Sequence, residues 1–206
     1  GHRRQLQHCP CPHLVESPNR LYPCAWSSDG RYLVYQQRQR DTGWDLYALP
    51  VDASGRPQGD PRPLASSPRN QENASLSADD AWIAYESDEL DGVVDVHIAP
   101  FQGPGGRIRL TRGGGRWPRW SGTEVLYYFH TRDRQLRQAT PRRASEGWRS
   151  GVADGGVRAS IVYPPEGSGF DHDPGTDRFL ILQPDRPATE PKPPPPRMVV
   201  VVGWLD

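Results

Sequence analysis

The sequence predicts an all-β fold, a β-propeller of four-stranded antiparallel blades with about four blades visible. The first observation is the composition: 206 residues include 21 glycines and 23 prolines but only 34% apolar residues, which favours short strands and turns over long helices. The second is a hairpin sequence that recurs at intervals of roughly 40 to 50 residues, a repeat length typical of propellers.

The recurring unit is clearest at residues 26–35, where Asp29-Gly30 precedes the alternating run Tyr32 to Tyr35. Asp-Gly favours a tight turn, because glycine accepts positive φ and aspartate can accept hydrogen bonds from nearby backbone N–H groups. An alternating run directly after such a turn predicts a strand with one buried face. We therefore interpret residues 26–35 as a β-hairpin.

Three further copies follow. The second lies at residues 76–85 and keeps its register through the next strand, with the corresponding pairs Asp29 and Asp79, Tyr32 and Trp82, Leu33 and Ile83, Tyr35 and Tyr85, Asp45 and Asp95, Leu46 and Val96, and Pro50 and Pro100. The third, at residues 120–127, is aligned with a turn two residues shorter, so that Tyr127 corresponds to Tyr35. The fourth and weakest copy lies at residues 170–182.

The predicted strands lie between turn signals. In the first repeat they are residues 25–26, 32–36, 45–51 and 62–65. In the third repeat residues 125–130 and 135–139 are strands, but the position of the fourth strand is unclear, because residues 141–156 are polar and indicate a loop.

The copies divide the chain into predicted segments. They are residues 1–20 as the end of a preceding blade or a loop, 21–183 as propeller repeats (about 21–70, 71–115, 116–160 and 165–183), 184–197 as a proline-rich loop, and 198–206 as a terminal strand. The loop is predicted because seven prolines in 184–197 cannot join a sheet interior.

The repeats resemble the TolB-type, WD40-like propeller repeat. The resemblance is carried by Trp26-Ser-x-Asp29-Gly30 with Leu33-Val34-Tyr35, by Ile83-Ala84-Tyr85-x-Ser87 with Val94-Asp95-Val96, and by Gly113-Gly114-Gly115-x-x-Pro118-x-Trp120-Ser121. It covers nearly all of residues 20–206 and implies that the four units are part of a six-bladed propeller. Alone, such a chain is expected to self-associate or to be poorly stable. One departure is Asp80, which replaces the turn glycine of the second copy.

One subgroup of these propellers is particularly similar. It stands at the C-terminal end of bacterial multidomain regulatory proteins, such as those with a serine/threonine kinase domain. The matching residues are Phe170-Asp171, Asp177-Arg178-Phe179-Leu180 and Val200-Val201-Val202-Gly203-Trp204. The resemblance implies a sensory or protein-interaction module and carries no catalytic residues.

Charge and hydropathy restrict the partners. The 25 basic and 25 acidic residues balance, so no global field draws the chain to nucleic acid or anionic lipid, and no nucleic-acid partner is expected. The longest apolar run, residues 198–202, is far shorter than the roughly 20 residues that span a bilayer. No membrane segment is therefore predicted, while the compartment (periplasmic, extracytoplasmic or cytoplasmic) stays open.

The candidate metal ligands are His8, Cys9, Cys11 and His13, whose thiols and imidazoles are the ligand types of tetrahedral zinc. Cys-x-Cys spacing is tighter than in usual zinc sites and no second ligand pair follows, so we favour a surface loop and expect neither metal nor cofactor. The repeated Asp29, Asp79, Asp45 and Asp95 are interpreted as turn caps rather than a cation site.

No motif for a nucleophile and its base, a zinc protease or a phosphate-binding loop occurs. The sequence therefore predicts a non-catalytic binding or scaffold module, whose partner is a protein or peptide, or a small ligand at the channel mouth. The alternative is a propeller-type hydrolase or lyase with channel-facing carboxylates and histidines. That alternative requires His97, His172, Asp91 and Asp95 to converge on one pocket.

Overall fold

The computed structural model describes residues 14–144, 147–158, 161–162, 167–183 and 197–201. The regular elements in these residues are all strands, so the predicted all-β class is confirmed. In chain order they are β1 (Leu21–Trp26), β2 (Tyr32–Gln39), β3 (Gly43–Pro50), β4 (Arg62–Ala65), β5 (Gln71–Leu76), β6 (Trp82–Ser87), β7 (Asp95–Pro100), β8 (Ile108–Arg109), β9 (Arg116–Ser121), β10 (Val125–His130), β11 (Gln135–Ala144), β12 (Gly147–Arg158), β13 (Phe170–Asp173), β14 (Arg178–Gln183) and β15 (Arg197–Val201).

The strands form four antiparallel sheets, each built from consecutive strands. Their orders are β1-β2-β3-β4, β5-β6-β7-β8, β9-β10-β11-β12 and β13-β14-β15. The first strand of each sheet is its innermost, because β5 contacts β1 and β9, and β9 contacts β13. The sheets thus stand side by side as propeller blades do, with one edge of each directed to a common axis.

The third predicted repeat needs two corrections. Leu126 pairs with Trp120 as Leu33 pairs with Trp26, so the third turn is one residue shorter than the first, not two, and Tyr128 rather than Tyr127 corresponds to Tyr35. A slip of one residue moves a side chain to the other face of a sheet. Accordingly, Tyr128 packs toward the second sheet and Tyr127 toward the fourth.

The second correction concerns residues 141–156, which were interpreted as a polar loop. Residues 141–144 and 147–156 belong to β11 and β12, which pair from Gln135 and Arg158 to Ala144 and Gly147. Backbone N–H and C=O groups pair whatever the side chains are, and an edge strand such as β12 does not need an alternating apolar pattern. Polar composition therefore did not reveal this hairpin.

Apolar layers lie between successive sheets. Val34 and Leu46 of the first sheet meet Ile83 and Tyr85 of the second. The next two layers have the same construction; their buried members include Ala84, Val96, Ile98, Trp120, Leu126 and Tyr128 between the second and third sheets, and Trp117, Tyr127, Phe129, Phe170, Phe179 and Ile181 between the third and fourth.

Polar side chains also join the sheets, at corresponding positions. The Oε1 atom of Gln36 accepts a hydrogen bond from the backbone N–H of Asn73 at 2.8 Å, and Oε1 of Glu86 accepts one from Trp117 at 2.7 Å. Both donor residues have positive φ, 53° and 55°. In both cases, therefore, a bulge in the innermost strand donates a backbone hydrogen bond to a side chain of the preceding sheet.

Candidate functional site

The first strands of the sheets line a cavity of about 340 Å³, which we call the inner cavity. Its walls come from β1 and its neighbours β2 and β3, from residues 72–74 of β5, from Arg119 of β9, and from residues 167–168 before β13. Three sheets and the segment that leads into the fourth therefore contribute to one concave site on the propeller axis. Its volume is at the lower end of the range of small-ligand pockets.

An aromatic corner forms one wall of the inner cavity. The rings of Tyr22 and Trp44 lie 5.3 Å apart at an angle of 51°, and the guanidinium of Arg38 lies 5.7 Å from the centroid of Trp44. The backbone N–H of Trp44 donates to Asn70 Oδ1 at 3.2 Å, and Asn70 is held in turn by Asp88. The corner is thus fixed by contacts from both the first and second sheets.

Glycine is required next to this corner. Gly43 has a φ of +90°, and a Cβ there would lie 2.6 Å from Asn70 Oδ1. A side chain at this position would displace Asn70 and, with it, the acceptor that fixes Trp44.

A second cavity of about 240 Å³ continues along the same strands, and it shares Cys24, Ala74 and Arg119 with the first. Arg119 Nε donates to Asp171 Oδ1 at 3.1 Å, which places an ion pair between the third and fourth sheets at the junction. Trp26 lines the second cavity and is 51% exposed, whereas Trp120 at the corresponding position of the third sheet is 7% exposed. Trp120 is covered by the apolar layer between the second and third sheets, whereas no described sheet precedes the first.

Burial changes the protonation of two groups at the inner cavity. It raises the pKa of the Cys24 thiol to about 11, so the thiol is protonated at neutral pH. It also raises the pKa of Glu72, an effect that nearby Arg116 and Arg38 oppose. Burial thus disfavours the charged form of both groups.

The repeated aspartates divide into two kinds. Asp29 and Asp79 cap their turns as predicted: Asp29 Oδ1 accepts from Ser27 Oγ and the Arg31 N–H, and Asp79 Oδ1 accepts from Ser77 Oγ and the Ala81 N–H. The Arg31 N–H is the largest cause that lowers the pKa of Asp29 to about 2, and the Ser77 hydroxyl lowers the pKa of Asp79.

The interpretation of Asp45 and Asp95 as turn caps was wrong. Both are buried, at the start of β3 and β7. Asp95 accepts hydrogen bonds from Thr111 Oγ1 at 2.7 Å and the Gly114 N–H at 3.0 Å, and it pairs with Arg109, so it holds the connection to the third sheet. Asp45 accepts a hydrogen bond from Thr42 Oγ1 at 2.7 Å.

The residues on which the hydrolase alternative depends do not converge. Asp91 and Asp95 share Arg109 in the second sheet, and His97 lies buried on the same strand as Asp95. His172 belongs to the fourth sheet, where it bonds Asp177 at 2.9 Å and contacts the rings of Tyr127 and Phe179. Neither group lines the inner cavity.

The candidate metal ligands His8, Cys9, Cys11 and His13 lie outside the described residues, so that site stays a prediction. Within the described part of the chain, no cluster of three or more His, Cys, Asp or Glu side chains is placed to hold a metal ion. Residues 1–13 and the proline-rich residues 184–196 are likewise beyond what the structure describes.

Sequence reasoning did not identify Arg38, Glu72 or Arg119 as site residues. They lie far apart in the chain, and each resembles an ordinary surface charge. The repeat offered one signal for Glu72. It pairs with Glu86 as Tyr22 of the inner cavity pairs with Gln36, and both Gln36 and Glu86 bond to the next sheet.

Comparison with solved structures identifies the fold. The chain aligns with TolB from Acinetobacter baumannii with a TM-score of 0.59 and 11% sequence identity, over 90% of this chain and 42% of TolB. It also aligns with a putative TolB from Agrobacterium tumefaciens, with a TM-score of 0.41 and 18% identity, over 91% of this chain and 78% of the other. The protein therefore has the fold of a TolB-type β-propeller, as predicted, and spans less than half of the A. baumannii protein.

No protein-family model and no curated protein sequence matches the chain. Among the described residues, no helix has the length and hydropathy to cross a membrane.

Proposed function

We propose that the protein is a non-catalytic binding module that takes an extended peptide segment of a partner protein along its innermost strands. The observation that carries this proposal is the pair of adjoining cavities, which the first strands of all four sheets surround. A rigid sheet scaffold holds such a concave site in place without needing the ligand.

Trp26 supports a protein partner. Tryptophan is enriched among the residues that dominate binding energy at protein interfaces. Here the ring lines the second cavity and is half exposed. We assign Trp26 the role of an aromatic contact for the partner.

A peptide selection tests the proposal. Phage-displayed random peptides are selected on the immobilised protein, and the affinity of the enriched peptides is measured for Trp26→Ser and for Leu90→Ser. Leu90 is a matched control, since it is 46% exposed on the second sheet's hairpin and lines neither cavity. We expect W26S to weaken binding at least about 10-fold and L90S less than about 2-fold.

Two results would contradict the proposal: no enrichment of peptides, or enriched peptides that bind both variants as tightly as the wild type. The wider role is a sensory or interaction module of a larger bacterial regulatory protein, and the resemblance of residues 170–182 and 200–204 to such propellers supports it. Determining the reading frame around the coding sequence tests that role, which requires an effector domain in the same protein.

A further inference from the structure

The inner cavity has a local excess of positive charge, although the whole chain is neutral. Three arginines line it, Arg20, Arg38 and Arg119, against one acidic residue, Glu72. Arg119 is paired with Asp171, which lines the second cavity rather than the first. The opposing charge inside the inner cavity is therefore that of Glu72, a half-buried carboxyl group whose pKa is raised by burial.

Arg38 is prepared to bind an anion. Its guanidinium is held over Trp44, its cross-strand neighbour, and within the described residues it forms no hydrogen bond or ion pair. Stacking on an aromatic face leaves the N–H donors in the guanidinium plane available to a carboxylate. Since the Asn70 and Gly43 contacts fix Trp44, the aromatic face against which Arg38 lies is in place before a ligand arrives.

We propose that the inner cavity recognises an acidic peptide, one of whose Asp or Glu carboxylates binds Arg38 while the chain continues past Arg119. This inference rests on the proposed function and adds the chemistry of the ligand. A bidentate bond between a guanidinium and a carboxylate is directional, and charge-assisted hydrogen bonds are about twice as strong as neutral ones. A nucleic acid is disfavoured because the balanced charges of the chain give no extended basic surface.

Fluorescence anisotropy with defined probes tests this proposal. The probes are a labelled peptide of alternating Glu and Ser, its counterpart with Gln in place of Glu, free succinate, and a single-stranded oligonucleotide. We expect the Glu peptide to bind at least about 10-fold more tightly than the Gln peptide, and its affinity to fall as NaCl is raised. Succinate is expected to compete only weakly.

Three variants of the chain locate the binding. Arg38→Gln should weaken the Glu peptide about 10-fold, and Glu72→Gln should strengthen it about 2- to 3-fold by removing a like charge. Arg40→Gln is the control: it removes the same charge two residues away, at an exposed turn position outside the cavity, and should change affinity less than about 2-fold.

Equal binding of the Glu and Gln peptides, or equal effects of R38Q and R40Q, overturns the acidic-ligand proposal. The proposed peptide-binding function is tested separately, by the effect of W26S on the selected peptides. Succinate that binds as tightly as the peptide would identify a small acid instead, and tighter binding of the oligonucleotide would identify nucleic acid; each overturns it. Thermal melts of all variants confirm that the fold is retained.

Discussion

At the scale of single residues, Gln36 and Glu86 show how one position of the repeat is used twice. Each side chain accepts a hydrogen bond from the backbone of the next innermost strand. Glu86 in addition accepts from Asn73 Nδ2 at 2.9 Å and pairs with Arg116 at 3.2 Å. It is 2% exposed, and burial raises its pKa to about 7, although these donors and Arg116 act to lower the pKa.

The fold therefore favours protonated Glu86, and this gives a pH dependence. Because this pKa is raised, the contribution of Glu86 to the free energy of unfolding is fully present below about pH 4.5 and is lost as the pH rises through about 7. Glu86→Gln keeps an oxygen that can accept the hydrogen bond, and glutamine is the residue already present at the corresponding position of the first sheet, Gln36. We expect the free energy of unfolding of the wild type to fall, relative to E86Q, by about 1 to 3 kcal/mol between pH 5 and pH 8.

Urea denaturation of both proteins at a series of pH values measures this difference. The difference between the two proteins cancels the effects of the other titrating groups. One of them is His97: burial lowers its pKa, so its contribution to stability is lost as the pH falls. A constant difference between wild type and E86Q across this range would contradict the assignment.

Cys24 gives a second prediction at this scale. Because burial raises the pKa of its thiol to about 11, its thiolate fraction at pH 8 is about 100-fold below that of an ordinary cysteine. In a Cys9→Ser, Cys11→Ser background, iodoacetamide should label Cys24 correspondingly slowly, and unfolding should restore the rate. Equally fast labelling of folded and unfolded protein would show that the thiol is not buried.

At the scale of elements, the turns join one sheet to the next. Asp80, which replaces the usual turn glycine, has a φ of 54°, a conformation that aspartate tolerates better than most residues. Its carboxylate accepts from the Ser28 N–H at 2.7 Å, the Ser28 hydroxyl at 2.6 Å and the Asp29 N–H at 3.4 Å. The departure from the repeat pattern is thus a contact between the first and second sheets.

Asp80→Asn tests this contact, because asparagine also tolerates positive φ but replaces an accepting oxygen with an amide. We expect D80N to lower the free energy of unfolding by about 1 kcal/mol. Asp60→Asn, at an exposed loop position, serves as the control and should have little effect. Equal stabilities of the two variants in urea titrations would argue against the contact.

At the scale of the molecule, stability depends on how closely adjacent sheets approach. Gly169, before β13, lies where a Cβ would come within 2.4 Å of Ile161 Cγ2 and 2.8 Å of the Trp117 ring. Trp117 is 2% exposed and stacks on Phe129 at 5.5 Å, so neither ring can move away freely. The absence of a side chain at Gly169 lets the fourth sheet pack against the third.

Gly169→Ala should therefore lower the free energy of unfolding by about 1 to 3 kcal/mol through overpacking. Gly106→Ala is the matched control, since a Cβ there meets no atom within 4 Å and its φ is not positive. Chemical denaturation of the two variants measures the difference. A Gly169→Ala variant as stable as Gly106→Ala would mean that the two sheets are not tightly packed at this point.

The sequence alone determined the repeated hairpin and, from its recurrence, the propeller fold. Turn chemistry and alternating burial are local, so Asp29, Asp79 and the strands after them could be recognised from short segments. The same reasoning failed at β11 and β12, where backbone pairing needs no particular side chains, and at Tyr127, where one residue in a turn decides which face a side chain occupies.

Only the tertiary structure decided the site. Arg38, Glu72 and Arg119 meet because the first sheet and the innermost strands of the second and third sheets surround one axis, and no spacing along the chain records that distance. The roles of Asp80, Asp95 and Glu86 were decided in the same way, since their partners belong to neighbouring sheets or to the loops that lead to them. Local physics builds each sheet, and the packing of sheets against one another determines which of their residues meet.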